Sequence, residues 1–317
     1  MLLIWTSVRA YCLVQAEDQE SAMKTPDMYS VGAATITRIE ELLLRDFSLP
    51  KLFPSRGGER PDVARGDIVR AMDPATGNLL MSVHTWLIRD RGRIILVDTG
   101  VGNDKPRPFT PGFNQLREPF LERLAAAGVR PQDVNLVLLT HLHVDHVGWN
   151  TRLEGGTWQP TFPNAQYIFS GKEYRYFTDP ANNSERNRTS FLVQQDSVKP
   201  IIDAGQARMI EIDGSEVIEG FRFLPTPGHT IDHGSIVLSN GGQTALFVGD
   251  LLHHPLQVSD PDLNSMFDAF FDQARVSRRD ALEFAVKHEA LVFSTHFPPT
   301  SAGRVLRTSE GFEWRFC

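Results

Sequence analysis

The chain has 317 residues, of which 41% are hydrophobic and 22% are charged, as in an ordinary soluble globular protein. Its formal net charge of −7 argues against a nucleic-acid-binding protein, because such proteins present a basic face. The two cysteines, Cys12 and Cys317, lie at opposite ends of the chain, which argues against a disulfide framework and a cysteine-based metal site.

The N-terminal residues allow several interpretations. Residues 1–16 are apolar but lack a basic start, so a cytoplasmic protein is favoured; a periplasmic or secreted protein is the alternative if they form a signal peptide. A mis-assigned start, with Met23 or Met28 as the first residue, is equally compatible. The expected organisation is a leader over 1–33, disordered or extended, and a single domain over 34–317. No segment has transmembrane length, so no membrane association is expected.

The first part of the domain reads as strands followed by one helix. In chain order the predicted elements are a strand from Ala34 with a turn or short helix before Phe47, a loop over 48–78, a hairpin of Leu79–Ile88 and Arg93–Val97 around Gly92, a loop over 101–112, and a helix through Leu116–Leu124 closed by Gly128.

A cluster of histidines follows the next predicted strand, the apolar run from Val134 to Leu139. Residues two apart in an extended segment share a side, so His141 and His143 are expected to face one point. Asp145 and His146, after the chain turns, are expected to face a neighbouring point. Imidazole and carboxylate groups are typical ligands of zinc, so this stretch predicts a metal site.

The second half is expected to present further ligands at the ends of strands. The predicted elements are strands over 166–169, 209–212, 221–224, 235–238, 245–248 and 291–293, helices over 171–177 and 191–202, a polar loop over 179–189 that suits a substrate lid, and a helix opened by a capping box at Ser277 and ending at Lys287. His229 follows a rigid Pro-Gly turn, and Asp250 and His296 each follow a strand.

Seven candidate ligands are too many for one tetrahedral ion and suit two ions. We assign His141, His143 and His229 to the first ion, and Asp145, His146 and His296 to the second. Asp250 is expected to bridge the ions, because a carboxylate has two oxygens. Two divalent cations, with Zn²⁺ as the expected metal, lower the pKa of a bridging water and polarise a scissile carbonyl or phosphoryl group.

The order of these motifs, H-x-H-x-D-H, then GH, GD and a last His, resembles the metallo-β-lactamase superfamily over about residues 97–297. The resemblance implies an α/β fold, the four-layer αβ/βα sandwich, with a dinuclear site at the sandwich edge. It also makes 34–317 a single hydrolase domain.

Departures from the pattern narrow the branch of the family. True β-lactamases commonly have Cys or Ser where this chain has Asp250, and flavodiiron proteins have Glu in place of His143. Glyoxalase II enzymes carry a helical domain after the last histidine, for which too few residues follow His296. The chain looks most similar to the N-acyl homoserine lactonase and methyl parathion hydrolase-like branches. Many lactonases have Tyr where His253 stands, which favours the second branch.

The expected function is hydrolysis of lactones, such as acyl homoserine lactones in quorum quenching, or of esters, by attack of a metal-bridging hydroxide. A phosphotriester or aryl ester hydrolase is one alternative, and an iron-dependent persulfide dioxygenase-like enzyme is another. Asp145 and His253 are the predicted catalytic residues. His253 is expected either to stabilise the oxyanion or protonate the leaving group, or merely to hydrogen-bond a ligand carboxylate.

Further residues are expected to support the site. Asp98 and His233 are predicted to orient ligands, with a plain turn role open for Asp98. The predicted pocket walls are Trp149, Phe267, Phe270 and Phe271, each with core packing as the alternative. The expected partner is a small-molecule lactone or ester, and the long N-terminal segment suits a homodimer.

Overall fold

The computed structural model describes residues 28–56 and 67–317, so the interpretations of the N-terminus before residue 28 lie outside the described residues. The first half of the chain forms a seven-stranded sheet and a separate two-stranded hairpin. Its strands are β1 (Met28–Val31), β2 (Ala34–Phe47), β3 (Leu79–Asp90), β4 (Arg93–Val97), β5 (Leu136–Leu138), β6 (Thr151–Glu154), β7 (Thr157–Pro160), β8 (Gln166–Ser170) and β9 (Ala207–Ile210).

The first sheet has the order β1-β2-β3-β4-β5-β8-β9, and β6 pairs only with β7. The pairs from β1 to β4 are antiparallel, and those from β4 through β5 and β8 to β9 are parallel. The carboxyl ends of β4, β5 and β8 therefore meet at one edge of the sheet.

The second half forms the other seven-stranded sheet, in chain order. Its strands are β10 (Glu216–Ile218), β11 (Phe221–Pro225), β12 (Gly234–Asn240), β13 (Gln243–Gly249), β14 (Leu291–Ser294), β15 (Ala302–Thr308) and β16 (Gly311–Phe316). Only β13 and β14 pair in parallel, so these two strands also end together.

Helices cover the outer faces of both sheets. They are α1 (Leu49–Leu52), α2 (Phe120–Ala126), α3 (Gly171–Thr178), α4 (Arg188–Val193), α5 (Lys199–Asp203), α6 (Leu256–Ser259) and α7 (Phe271–Lys287). A π-helical segment, Gln194–Val198, joins α4 to α5. Short 3₁₀ turns occupy Pro54–Arg56, Val69–Ala71, Pro111–Phe113, Pro131–Asp133, Gly148–Asn150 and Pro180–Asn182. None of the helices in the described part of the chain is long and apolar enough to cross a bilayer.

Three apolar layers hold the sandwich together. The inner faces of the two sheets meet in a layer where Phe293 stacks on Phe247 at 4.9 Å and meets Trp86 edge-on at 4.9 Å. The outer face of the first sheet packs against α2 through Phe120 and against the α3–α5 region. The outer face of the second packs against Leu282 and its neighbours in α7. The predicted four-layer αβ/βα sandwich is confirmed.

Several predicted elements differ in the structure. The loop expected over 48–78 contains α1, the helix expected from Leu116 begins at Phe120, and the helix expected over 191–202 is divided into α4, the π-helical segment and α5. The folded part starts before residue 34, because Met28–Val31 pairs with β2 across a turn at Gly32. The expected turn or helix before Phe47 is wrong, since β2 continues to that residue by pairing with β3 through two bulges. The final helix begins at Phe271 rather than at Ser277, whose hydroxyl lies inside the helix and donates to the carbonyl of Pro227.

Candidate metal centre

The residues predicted as ligands lie together where strands of both sheets end. The loop after β5 carries four of them, and the loops after β11, β13 and β14 carry one each: His141, His143, Asp145 and His146, then His229, Asp250 and His296. Gly249 is the last residue of β13 and has a φ of +51°. A Cβ atom at this position would collide with Thr140 and His233. Only glycine fits this close approach of the two sheets.

The first group of ligand atoms comes from His141, His143, His229 and Asp250, and these atoms lie within 4.8 Å of one another. The Nδ1 atom of His143 is 2.9 Å from Nε2 of His229. The Oδ2 atom of Asp250 is 3.2 Å from Nε2 of His229 and 3.7 Å from Nε2 of His141. This arrangement leaves a small polar space between three imidazoles and one carboxylate oxygen.

The second group comes from Asp145, His146 and His296, again within 4.8 Å of one another. The other oxygen of Asp250, Oδ1, lies 2.9 Å from Nε2 of His146 and 2.9 Å from Nε2 of His296. Asp250 thus turns one oxygen to each group. The two groups coincide with the two sets of ligands predicted from the sequence.

Outer hydrogen bonds set which nitrogen of each ring faces the centre. Nδ1 of His146 lies 2.9 Å from a carboxylate oxygen of Asp98, and Nδ1 of His296 lies 2.8 Å from the carbonyl of Ser82. Because these partners only accept, each Nδ1 carries a proton, and the Nε2 atom of each ring is turned towards the centre and Asp250.

The chemistry of this centre fits divalent cations. Nε2 of His141 and Nε2 of His146 are buried and have no hydrogen-bond partner among the described residues. Buried polar atoms are normally satisfied, so one unpartnered ring nitrogen in each of the two groups is expected for a site that binds cations. Two groups of His and Asp side chains around a shared carboxylate are consistent with a dinuclear metal site.

Burial and charge shift the pKa values of these groups. Burial, reinforced by neighbouring histidines, holds the pKa of His141 and that of His143 well below the ordinary value. Burial would raise the pKa of Asp250, but His146, His296 and other imidazoles outweigh it and hold this pKa well below its ordinary value. Burial would lower the pKa of His146 and that of His296, but Asp250 and other carboxylates outweigh it and raise both, so a cation bound by the second group would displace protons from these rings.

The two residues predicted to orient ligands do contact them or their backbone. Asp98, besides holding His146, accepts hydrogen bonds from the backbone N–H and the hydroxyl of Thr140, at 2.8 and 2.9 Å. Nε2 of His233 accepts the backbone N–H of Asp250 at 3.1 Å, while its Nδ1 pairs with Thr226. Burial lowers the pKa of His233 to about 3, so this ring is neutral and serves as an acceptor.

His253 lies between the metal ligands and the neighbouring groove. Its Nε2 atom is 3.4 Å from Oδ2 of Asp250, and its ring stacks parallel to that of His296 with 5.5 Å between centroids. Neither ring nitrogen has a hydrogen-bond partner among the described residues. The ring is fully buried, and its centroid lies 5.4 Å from that of Phe267 in the groove wall.

A groove of about 590 Å³ opens beside the first group of ligands. His143 and His229 lie at its base, and its walls include Phe177, Phe267 and Phe270. Two of the predicted wall residues, Phe267 and Phe270, therefore line the groove. The polar segment predicted as a lid contributes Ser184, Glu185, Arg186 and Asn187 to the rim.

The other two predicted wall residues do not line this groove. Trp149 lies in the core, where its ring stacks on Phe120 at 5.1 Å and its Nε1 donates to Glu41 at 2.7 Å. The indole turns inward because its N–H finds a buried carboxylate there. Phe271 begins α7 and is 50% exposed, since the first turn of that helix points its side chain into solvent.

Three further residues near the centre were not predicted from any sequence motif. Asp268 approaches the outer nitrogen of His229, and Arg278 pairs with Asp268 from α7. Arg186 donates to backbone carbonyls of the groove wall. All three lie outside the ligand motifs and reach the site only through the packing of loops.

Comparisons with known proteins agree with this geometry. A family model described as the metallo-beta-lactamase superfamily matches residues 79–296, a span that includes every ligand of the centre. A probable metallo-hydrolase of Mycobacterium bovis is 26% identical over 189 residues, which cover 54% of this chain and 57% of that protein. An N-acyl homoserine lactonase of Bacillus cereus is 28% identical over 174 residues, 51% of this chain and 60% of that protein. The chain thus spans less than two thirds of either relative.

Solved structures share the fold over nearly the whole chain. The crystal structure of AbOPH, a hydrolase in the beta lactamase superfamily, has a TM-score of 0.74 and 24% identity, and covers 92% of this chain and 96% of that chain. AidC, a dizinc quorum-quenching lactonase in complex with a product, has a TM-score of 0.72 and 22% identity, and covers 92% of this chain and 97% of that chain. At this identity the likeness shows the fold alone.

Proposed function

Since the chain belongs to the metallo-beta-lactamase superfamily, we propose that it is a dinuclear zinc hydrolase that opens lactones or cleaves esters. The observation that carries this proposal is Asp250, whose two oxygens face two separate groups of ligands. A carboxylate placed in this way suits a shared ligand of two ions.

The residues that would hold the ions follow from the two groups. One ion would take His141, His143 and His229, the other would take Asp145, His146 and His296, and both would share Asp250. When bound, such ions supply a water of lowered pKa and polarise the scissile carbonyl group. Hydrolysis then adds water across the acyl C–O bond and yields a carboxylate and an alcohol.

The chain's own residues would orient the substrate for this reaction. His253, with both ring nitrogens unpartnered and Nε2 3.4 Å from Asp250, would donate a hydrogen bond to the oxyanion or to the leaving oxygen. Phe267 and Phe270 would pack against the acyl chain, because the groove walls beside His143 and His229 are largely apolar. The curated lactonase relative and the product-bound lactonase structure support a lactone as substrate.

The test measures hydrolysis of N-hexanoyl homoserine lactone and of p-nitrophenyl esters before and after removal of metal with a chelator. Lactone opening releases a proton, so a pH-stat follows it directly, and metal content is measured on the same protein. Asp250→Ala is expected to abolish activity. His288→Ala is the matched control, because His288 caps the end of α7 and packs on Phe284 away from the ligands.

Two results would reject the proposal. One is the absence of chelator-sensitive hydrolysis of either substrate class by protein loaded with two zinc ions. The other is a single iron per chain together with oxygen consumption on a persulfide, which would assign the centre to oxidative chemistry. Turnover of a phosphotriester alone would assign the chain to the organophosphate-cleaving alternative.

A further inference from the structure

Asp268 is a buried carboxylate directly behind the metal centre. It lies between α6 and α7 and is 1% exposed. Its Oδ1 atom is 3.4 Å from Nδ1 of His229, the ring nitrogen that faces away from the ligand group. Neither of these two atoms has another hydrogen-bond partner among the described residues. Because buried donors and acceptors are normally satisfied, these two atoms are expected to pair with each other.

A buried arginine fixes this carboxylate in place. Arg278, on the second turn of α7, donates from Nη2 to Oδ2 of Asp268 at 3.0 Å. Its Nε and Nη1 donate to the carbonyls of Leu251 and Pro261, at 3.1 and 2.7 Å. Three directed bonds hold the guanidinium rigidly, so Oδ1 of Asp268 remains available to His229.

The backbone around Asp268 is tied to the His229 loop as well. The N–H of Ala269 donates to the carbonyl of His229 at 3.1 Å, and the N–H of Phe270 donates to that of Gly228 at 2.8 Å. From the groove side, Arg186 donates to the carbonyls of Phe267 and Asp268, at 2.7 and 2.5 Å. Asp268 and His229 therefore lie on two loops that are bonded to each other.

We propose that Asp268, held by Arg278, is the positioning residue of His229. By accepting a hydrogen bond from Nδ1–H, Asp268 fixes the orientation of the His229 ring. The lone pair of Nε2 then faces the space that His229 shares with His143 and Asp250. His146 and His296 have such an acceptor in Asp98 and Ser82, and Asp268 supplies the corresponding one. The inference rests on the proposed function, because it requires that the first group of ligands binds an ion.

The test is the zinc affinity of Asp268→Asn, measured by chelator competition on protein that elutes as a folded species. Asparagine keeps the size of the side chain, but its NH₂ group must take the place of one carboxylate oxygen. In one orientation the NH₂ group faces Nδ1 of His229, and in the other it faces the guanidinium of Arg278. We expect a 10- to 100-fold loss of affinity at one of the two zinc sites, with the other unchanged. If both sites of Asp268→Asn bind zinc with the same affinities as in the wild type, the inference is overturned.

Asp90→Asn is the matched control. Asp90 is 2% exposed and pairs with Arg91 and Arg93 at the opposite end of β3 and β4 from the ligands. Like Asp268→Asn, this variant replaces a buried carboxylate that pairs with arginine, here with the partly exposed Arg91 and Arg93, so it is expected to lower stability while both zinc sites keep their affinity. A loss of zinc affinity in this control equal to that in Asp268→Asn would show a general effect of instability and overturn the assignment.

A double variant separates positioning from charge neutralisation. Asp268→Asn with Arg278→Gln removes both buried charges, so stability is expected to recover while the weakened zinc site stays weak. If zinc affinity also recovers, Asp268 serves only to neutralise Arg278. If single variants fail to fold, the ¹⁵N shift of His229 in zinc-loaded wild type still decides, since an unprotonated Nδ1 contradicts the inference. Wild type that binds no zinc would reject the proposed function itself.

Discussion

Replacing Asp98 by asparagine should disable the second group of ligands while preserving the fold. Asp98 has a φ of +55°, a conformation that asparagine tolerates better than alanine, so Asp98→Asn adds little backbone strain. What changes is hydrogen bonding. Oδ1 accepts the N–H of Thr140, while Oδ2 accepts the Thr140 hydroxyl and Nδ1–H of His146.

The amide can satisfy only part of this set in either orientation. With its oxygen towards His146, its NH₂ group opposes the N–H of Thr140. With its oxygen towards that N–H, its NH₂ group faces His146, which then keeps a lone pair on Nδ1 and carries its proton on Nε2. An Nε2 that carries a proton cannot bind a cation. We expect a 10- to 100-fold loss of zinc affinity, or about 1.4–2.8 kcal/mol.

Chelator competition with elemental analysis of the folded protein checks this expectation. At limiting free zinc the variant should retain one ion per chain, held by His141, His143 and His229. The reasoning would be refuted by two ions bound with wild-type affinity, because Asp98 would then have no influence on His146.

Four further outcomes are expected. Chelation should lower the thermal midpoint reversibly, since each ion at 100 times its Kd contributes ~2.7 kcal/mol; an unchanged midpoint after complete metal removal would contradict this. His253→Gln should lower kcat roughly 100-fold with zinc content unaltered, and wild-type kcat would exclude its catalytic role. Trp149→Phe should reduce the free energy of unfolding by ~1–3 kcal/mol through loss of its hydrogen bond to Glu41, and it should leave KM unchanged. An altered KM would indicate that Trp149 contacts the substrate after all. Burial raises the pKa of Glu41 from 4.5 to about 7, so the contribution of Glu41 to stability is complete below pH 4.5 and is lost as the pH rises through 7. In urea titrations the free energy of unfolding should fall by ~3 kcal/mol over this range in the wild type but not in Glu41→Gln. The same pH dependence in both proteins would disprove this expectation.

The sequence predicted the candidate ligands that the structure brings together, because these residues belong to local patterns. His141 to His146 form one short motif, and Asp250 and His296 directly follow apolar strands, so periodicity and residue type were sufficient. The four-layer fold followed from the resemblance that these motifs carry. Phe267 and Phe270 were predicted as groove walls and line the groove.

What the sequence did not predict depends on contacts between distant segments. Asp268 is an acid in an irregular loop, and only the folding of α7 brings Arg278 and His229 to it. Trp149 adjoins the ligand motif, yet a hydrogen bond to Glu41 on β2 draws it into the core. The start of α7 was misplaced because Ser277 imitates a capping residue while its hydroxyl bonds to a loop.

The two sheets contribute ligands to one centre across the aromatic layer of Trp86, Phe247 and Phe293. The thickness of that layer sets the distance between the two sheets, and therefore the distance from Asp250 and His296 to His141 and His146. A bulkier side chain deep between the sheets would therefore move the candidate ligands of the two sheets apart without contacting any of them. Substitutions in this part of the interior are therefore limited by the geometry of the candidate metal centre as well as by stability.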